Sequence, residues 1–155
     1  MFNGFASFYY HYTLSWIGKQ ADEVSMILSV YLGIWRLINM YYSENKNYYS
    51  GINSIFMTLT IIFNTIQKND LLFPLIFSMY VFVLLYHIYK TSKLYNIAYK
   101  KELLISFIGA KCWIISEIYC NDVTKFGHIV WHIMFPLGFY KLILKFDKIN
   151  SELPK

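Results

Sequence analysis

Long apolar runs separated by short polar stretches dominate the sequence. A transmembrane helix needs about 20 mostly apolar residues. By that measure the pattern predicts five spans, with a short helix ahead of them at residues 2–12 and a polar turn at 18–20. The sequence therefore predicts an all-α, polytopic transmembrane bundle. The five predicted spans cover residues 21–42, 51–66, 71–89, 102–119 and 127–144.

The composition agrees with a membrane-embedded domain. Hydrophobic residues make up 57% of the 155 residues, aromatic residues 21% and charged residues only 15%. A soluble domain of this length cannot bury so much apolar surface. The net charge of +5 does not indicate a nucleic-acid-binding surface, because the lysines gather between the apolar runs. The two cysteines, Cys112 and Cys120, do not form the framework of a disulfide-rich secreted protein.

The distribution of lysines predicts the orientation of the bundle. Three lysines fall in the connections on one side of the predicted membrane, and nine fall on the other side. Because lysine and arginine are enriched in cytoplasmic loops, the side with nine is expected to be cytoplasmic, and it includes the C-terminal tail. The three are Lys19, Lys68 and Lys125; the nine are Lys46, Lys90, Lys93, Lys100, Lys101, Lys141, Lys145, Lys148 and Lys155.

Five chemically active side chains fall at a similar predicted depth, near the opposite face of the membrane. Ser7 and His11 lie in the short first helix, and Asp22 opens the first span. His128 and His132 open the last span and are four residues apart, so they project from one face of a helix. Ionisable residues inside a membrane are costly and usually functional.

Three histidines with a carboxylate and a hydroxyl are the components of a hydrolytic zinc site. Three neutral imidazoles are the ligands of many catalytic zinc ions, and they leave a fourth position for water. Zinc lowers the pKa of bound water, a nearby carboxylate can act as general base, and a serine hydroxyl can stabilise an oxyanion.

Simpler structural explanations apply to each residue taken alone. Asp22 could be a carboxylate that favours a helix N-terminus, and a four-residue spacing like that of His128 and His132 is common on any helix. His87 is interpreted as an interfacial side chain near the cytoplasmic end of its span. Lys111 lies nearer the middle of a span, and nothing in the pattern explains it. The five side chains together favour a functional site.

Two blocks of sequence resemble the alkaline ceramidase family. In "SFYYHYTLSWIGKQADE" a serine, a histidine four residues on, a Thr-Leu pair and a glutamine before Asp-Glu follow in the family's order, with the glutamine one residue closer to the acids. "GHIVWHIMFPLGFY" resembles the family's final helix through His128, Trp131 and His132. Between the blocks only hydrophobicity and span length agree.

The resemblance implies a metal-dependent amidase in a seven-helix membrane fold, which splits ceramide into a sphingoid base and a fatty acid. It implies that His11, His128 and His132 bind Zn²⁺ and that Asp22 and Ser7 hold and activate the water. Residues 1–155 are then one ceramidase-like domain that lacks the family's first helix, most of its second and its calcium-binding segment. An endomembrane such as the endoplasmic reticulum or Golgi is the expected location.

Three alternatives stay open. The chain could be an inactive, truncated relict that acts through interaction. It could instead be a GPI-lipid-remodelling hydrolase or a receptor of the wider superfamily, which shares the same five-residue plan. It could also be a structural membrane protein whose histidines bond between helices. The gap of eleven residues from His11 to Asp22 favours a ceramidase over a receptor.

The lysine distribution generates a topology prediction. A tag placed after Lys155 should be accessible from the cytoplasm, because that side carries the excess of lysines. Selective permeabilisation of the plasma membrane followed by tag labelling measures this. A tag that becomes accessible only after the lumen is opened would contradict the orientation.

Overall fold

The protein is all-α in the computed structural model, which describes residues 2–42, 44–66, 72–119 and 126–152. These residues form helices and no strand, as the sequence predicts. The six helices are α1 (Phe2–Thr13), α2 (Trp16–Tyr41), α3 (Lys46–Ile66), α4 (Leu72–Tyr95), α5 (Lys100–Ile118) and α6 (Phe126–Glu152).

Three helices among the described residues are long and apolar enough to cross a membrane, which indicates a membrane protein. They are Trp16–Tyr41, Leu72–Tyr95 and Phe126–Ile149. The prediction of five full spans is not supported. In α5 the charges of Lys100, Lys101, Glu102 and Lys111 interrupt the apolar run, and α3 contains several asparagine and hydroxyl side chains.

Several helix boundaries differ from the predicted ones, and α3 already begins at Lys46 rather than at residue 51. The predicted turn at 18–20 lies inside α2, because the chain breaks earlier, at Leu14 and Ser15. Helix α4 runs six residues past the predicted end at 89, and α6 continues through most of the lysine-bearing tail. Lysine is a good helix former, so a lysine cluster marks a membrane boundary without ending the helix. The predicted connections at 67–70 and 120–125 lie outside the described residues.

The chain forms two compact units, Met1–Thr91 and Ser92–Lys155. In the first unit α2 packs against both α1 and α3. In the second unit α5 packs against α6. The prediction of one domain over residues 1–155 stays a prediction.

Helix α3 buries three polar residues and exposes many of its apolar ones. Its buried side chains are those of Asn53, Thr60 and Asn64. Large apolar side chains on the same helix, such as Ile55 and Leu59, are about 60% exposed. This arrangement is the reverse of a helix at the surface of a soluble protein and suits a helix whose outer face meets lipid.

Helices α5 and α6 approach closely at Gly138. A Cβ atom at this position would lie 2.5 Å from the carbonyl oxygen of Glu102 and 2.8 Å from the amide nitrogen of Ser106. The Ser106 hydroxyl donates a hydrogen bond of 2.8 Å to the Phe135 carbonyl. Further along, the Lys145 ammonium donates to the Ala98 carbonyl and to the Glu102 carboxylate. Small residues let the two backbones meet, and polar groups then join them.

The contact at Gly138 generates a stability prediction. Gly138→Ala should destabilise the protein by about 1–3 kcal/mol, because the new methyl group meets backbone atoms that cannot move without parting the helices. Thermal unfolding in detergent measures this.

Gly51→Ala in α3 is the matched control, because a Cβ atom there would meet nothing within 4 Å. Its effect should be neutral or slightly stabilising, since alanine favours a helix over glycine. Equal losses of stability for the two variants would contradict the close approach of α5 and α6.

Candidate metal and catalytic site

A tight corner joins α1 to α2. The amide of Leu14 donates a 2.7 Å hydrogen bond to the Tyr10 carbonyl, and Leu14 adopts a left-handed conformation with φ of 49°. Ser15 then caps α2, because its hydroxyl accepts a 3.0 Å hydrogen bond from the Gly18 amide. The Thr13 hydroxyl bonds to the Tyr9 carbonyl and lies 2.9 Å from the Ser15 hydroxyl. These bonds satisfy the backbone at both helix ends and turn the chain back on itself.

Gly18 allows α1 and α2 to pack closely beyond the corner. A Cβ atom at Gly18 would lie 2.9 Å from the Cα atom of Tyr10. Two helices that leave a corner in antiparallel directions lie side by side. A residue a given number of positions before the corner therefore faces the residue the same number of positions after it. Ser7 lies seven residues before Leu14, and Asp22 lies seven residues after Ser15. The corner therefore sets the register that places Ser7 opposite Asp22.

Ser7 and Asp22 form a buried pair. Their side chains are joined by a hydrogen bond, and each residue is only 6% exposed. The second carboxylate oxygen of Asp22, Oδ1, has no hydrogen-bond partner among the described residues. A buried carboxylate oxygen of this kind is costly, so it calls for a ligand or water. The structure thus brings Ser7 and Asp22 together, and their catalytic roles stay a prediction.

His11 lies on α1 one turn after Ser7. The two residues are four apart in the helix and therefore on the same side of it. The His11 residue is exposed, and its ring packs against Tyr10 with centroids 5.0 Å apart. The first unit thus carries one histidine beside the Ser7–Asp22 pair.

The second unit carries the other two predicted histidines on α6. The rings of His128 and His132 have centroids 4.8 Å apart, and a nitrogen of one lies within 4.8 Å of a nitrogen of the other. Both residues are half-buried. Trp131, between them in sequence, is buried and stacks on Trp113 of α5 at 5.2 Å. The contact between Trp131 and Trp113 holds α6 against α5. It thereby sets the orientation of the helix face that carries His128 and His132.

Each unit therefore assembles a part of the predicted site. Ser7, His11 and Asp22 belong to the first unit, and His128 and His132 belong to the second. The prediction that all five residues serve one site stays a prediction.

Glu23 and Asn64 are buried polar residues next to this site, and the sequence pattern predicted no role for either of them. Asn64 of α3 donates a 2.9 Å hydrogen bond to Oε2 of Glu23. Two features of the sequence could have drawn attention to these residues. One is a second acid beside Asp22 near a helix start, and the other is an asparagine in an apolar run. Neither reveals its partner, because the contact joins residues 41 apart.

His87 is not the interfacial side chain predicted for it. It is buried, and its ring lies 5.5 Å from that of Tyr86 and 6.3 Å from that of Tyr42. Tyr42 also stacks on Tyr49 at 4.0 Å. Tyr42 at the end of α2 and Tyr86 of α4 thus lie edge-on beside the imidazole.

Comparisons with known proteins identify a related family. A family model described as "Ceramidase" matches residues 1–154. A Dictyostelium discoideum protein that carries the name alkaline ceramidase dcd3A is 22% identical, over 88% of this chain and 57% of its own length. Alkaline ceramidase 3 of Mus musculus is 25% identical, over 91% of this chain and 60% of its own length. The chain thus spans less than two thirds of either relative. No solved structure matches it significantly.

Proposed function

Because the chain belongs to the ceramidase family, we propose that it hydrolyses the amide bond of ceramide, which releases a sphingoid base and a free fatty acid. The observation that supports this best is the Ser7–Asp22 pair. A buried carboxylate with one oxygen held by a hydroxyl and the other without a partner among the described residues can bind and deprotonate a water molecule.

The residues present fit a zinc ion. The first unit carries His11 on α1 and the second unit carries His128 and His132 on α6, and neutral imidazoles are among the ligands that zinc prefers. On α6 the pair His128 and His132 presents its nitrogens one turn apart. We infer that these three histidines bind one Zn²⁺. When bound, zinc supplies a Lewis acid that polarises the amide carbonyl and lowers the pKa of water.

Asp22 acts as the general base and then as the general acid. Its carboxylate takes a proton from the water while the water oxygen bonds to the amide carbonyl carbon. The carbon–nitrogen bond then breaks, and Asp22 returns the proton to the leaving nitrogen, so that the products are a carboxylic acid and an amine. Ser7 orients the carboxylate through its hydrogen bond, which leaves Oδ1 toward the water.

The substrate class agrees with the surface of the protein. Exposed apolar side chains run along α3 and α4, for example Leu59, Phe63 and Phe82, and a helix surface of this kind faces lipid. A ceramide can reach the site from the bilayer. We place the C-terminal tail in the cytoplasm and the protein in an endomembrane, on the lysine distribution and on the resemblance already given.

The ligand set generates a metal prediction. The folded protein should retain about one zinc per chain, because three histidines with an open fourth position bind zinc tightly. Elemental analysis after mild dialysis measures this. His128→Ala should lose most of the metal because it removes a ligand.

His87→Gln is the matched control, because it also removes a histidine but not one of the proposed ligands. It should keep the zinc of the unsubstituted protein. A folded, unsubstituted sample with less than about a tenth of an equivalent would contradict the metal site and favour histidines that bond between helices.

The proposed mechanism predicts an order of kinetic effects. Asp22→Asn keeps the size of the side chain but cannot accept the proton, so the rate should fall by about 10²–10⁴-fold while zinc stays bound. His128→Ala should be at least as severe, because metal and activity are lost together. Ser7→Ala should be milder, about 10²-fold at most. Hydrolysis of a labelled ceramide in detergent measures all three.

Asp147→Asn on α6 is the matched control for the loss of a carboxylate and should leave the rate unchanged. A larger loss for Ser7→Ala than for Asp22→Asn would contradict the assigned roles. A zinc-replete, folded protein that hydrolyses no ceramide would overturn the proposed activity in favour of an inactive relative.

A further inference from the structure

Glu23 is a buried carboxylate beside the proposed base but outside the proposed chemistry. It is only 7% exposed, although it follows Asp22 directly. Its Oε2 accepts hydrogen bonds from Asn64 at 2.9 Å and from Gln20 at 3.4 Å, and its Oε1 lies 3.7 Å from the Lys19 ammonium. Both oxygens are therefore engaged by protein groups, so Glu23 is not placed to hold a water.

Glu23 and Asp22 point to different neighbours of α2. Successive residues of an α-helix are rotated by about 100° around its axis. Asp22 meets Ser7 of α1, and Glu23 meets Asn64 of α3. A rotation of α2 that separated Glu23 from Asn64 would turn Asp22 away from Ser7 as well. The two contacts together fix the rotation of α2.

The Glu23–Asn64 bond is a polar contact between α2 and α3 directly beside Asp22. Asn64 is fully buried, with 0% exposure. Other polar contacts between these helices lie at Tyr31, whose hydroxyl is 3.1 Å from the Ser54 hydroxyl and whose carbonyl accepts from Asn53 at 3.3 Å. Tyr31 lies eight residues, or about 12 Å, further along α2.

We propose that Asn64 and Glu23 are positioning residues, which hold the Asp22 carboxylate against Ser7 by fixing the rotation of α2. The kinetic part of this inference rests on the proposed amidase function, whereas the geometric part does not. Lys19 and Gln20 belong to α2 itself, so their contacts with Glu23 cannot fix that helix against a neighbour. The hydrogen bond from Asn64 does cross between helices, because Asn64 belongs to α3.

Asn53 provides a matched control on the same helix. It is also buried, at 6% exposure, and it accepts a 2.8 Å hydrogen bond from Tyr80 while donating to the Tyr31 carbonyl. It precedes Asn64 by eleven residues, or about 16 Å along α3. Asn53→Leu therefore removes a buried asparagine between helices without touching the contact beside Asp22.

The geometric test uses cross-linking between the positions of the pair. Ser7→Cys and Asp22→Cys are introduced together in a background with Cys112→Ser and Cys120→Ser, and the rate of cross-linking by a short bis-methanethiosulfonate reagent is measured. Adding Asn64→Leu should slow the reaction by about fivefold or more, because α2 then loses its hydrogen bond to α3 beside residue 22. Adding Asn53→Leu should leave the rate within about twofold of the background. An equal rate with and without Asn64→Leu would overturn the proposal.

The kinetic test uses protein in which Ser7 and Asp22 are unchanged. Asn64→Leu and Glu23→Leu should each lower kcat by about 10–10²-fold with little change in KM or in zinc content, because small misplacements of a catalytic group are costly. The double variant should lose no more than either single one, since both remove the same contact. Glu23→Gln keeps an acceptor for Asn64 and should retain most of the activity. Additive losses, or a loss in Glu23→Gln as large as in Glu23→Leu, would overturn the positioning role.

The two tests separate this proposal from the proposed function. Suppose that the protein hydrolyses no ceramide, but that cross-linking slows in Asn64→Leu and not in Asn53→Leu. The positioning of residue 22 is then supported, and the proposed amidase activity is wrong. If Asn64→Leu fails to fold, Glu23→Leu in the cysteine background gives the same geometric readout. A Glu23→Leu protein that is folded and cross-links at the background rate would overturn the proposal.

Discussion

Polar groups buried in a lipid-facing helical bundle must find partners within the protein, and this constraint decides where the helices of the first unit meet. Helix α2 carries two adjacent acids in its buried part, Asp22 and Glu23, and each accepts a hydrogen bond from a different neighbouring helix. Leaving either carboxylate without a partner would cost several kcal/mol. The corner at Leu14 and Ser15 and the close approach at Gly18 let α1 reach Asp22. The burial of the Asp22 carboxylate therefore depends on the backbone conformation of this corner.

The sequence predicted the helical class and the candidate residues but not the number of spans. Apolar runs locate helices well, because a buried or lipid-facing helix must be apolar over most of its length. They overestimate spans where charges enter a run, as Lys111 and Glu102 do in α5. They also misplaced the first corner, because Lys19 and Gln20 resemble a polar turn. In the structure these two side chains face Glu23 one turn further on, which keeps them in the helix.

Short-range spacing predicted the pairing of His128 with His132, but contacts between distant residues could not be predicted. Residues four apart on a helix are neighbours by geometry alone. The Ser7–Asp22 pair depends on where the corner falls, and a shift of one residue would change the register of α1 against α2. The contact between Glu23 and Asn64 joins positions 41 residues apart. It follows from the packing of α2 on α3, which no local pattern specifies.

The division of roles between the two adjacent acids follows from their partners. Burial alone does not distinguish Asp22 from Glu23, since both are less than a tenth exposed. Glu23 has both oxygens occupied, one by the Lys19 ammonium and one by the amides of Gln20 and Asn64. These contacts hold the Glu23 carboxylate against its own helix and against α3. Asp22 has one hydrogen bond from Ser7 and an Oδ1 without a partner among the described residues. This Oδ1 suits Asp22 to the role of proposed base, and the contact with α3 suits Glu23 to the proposed positioning role.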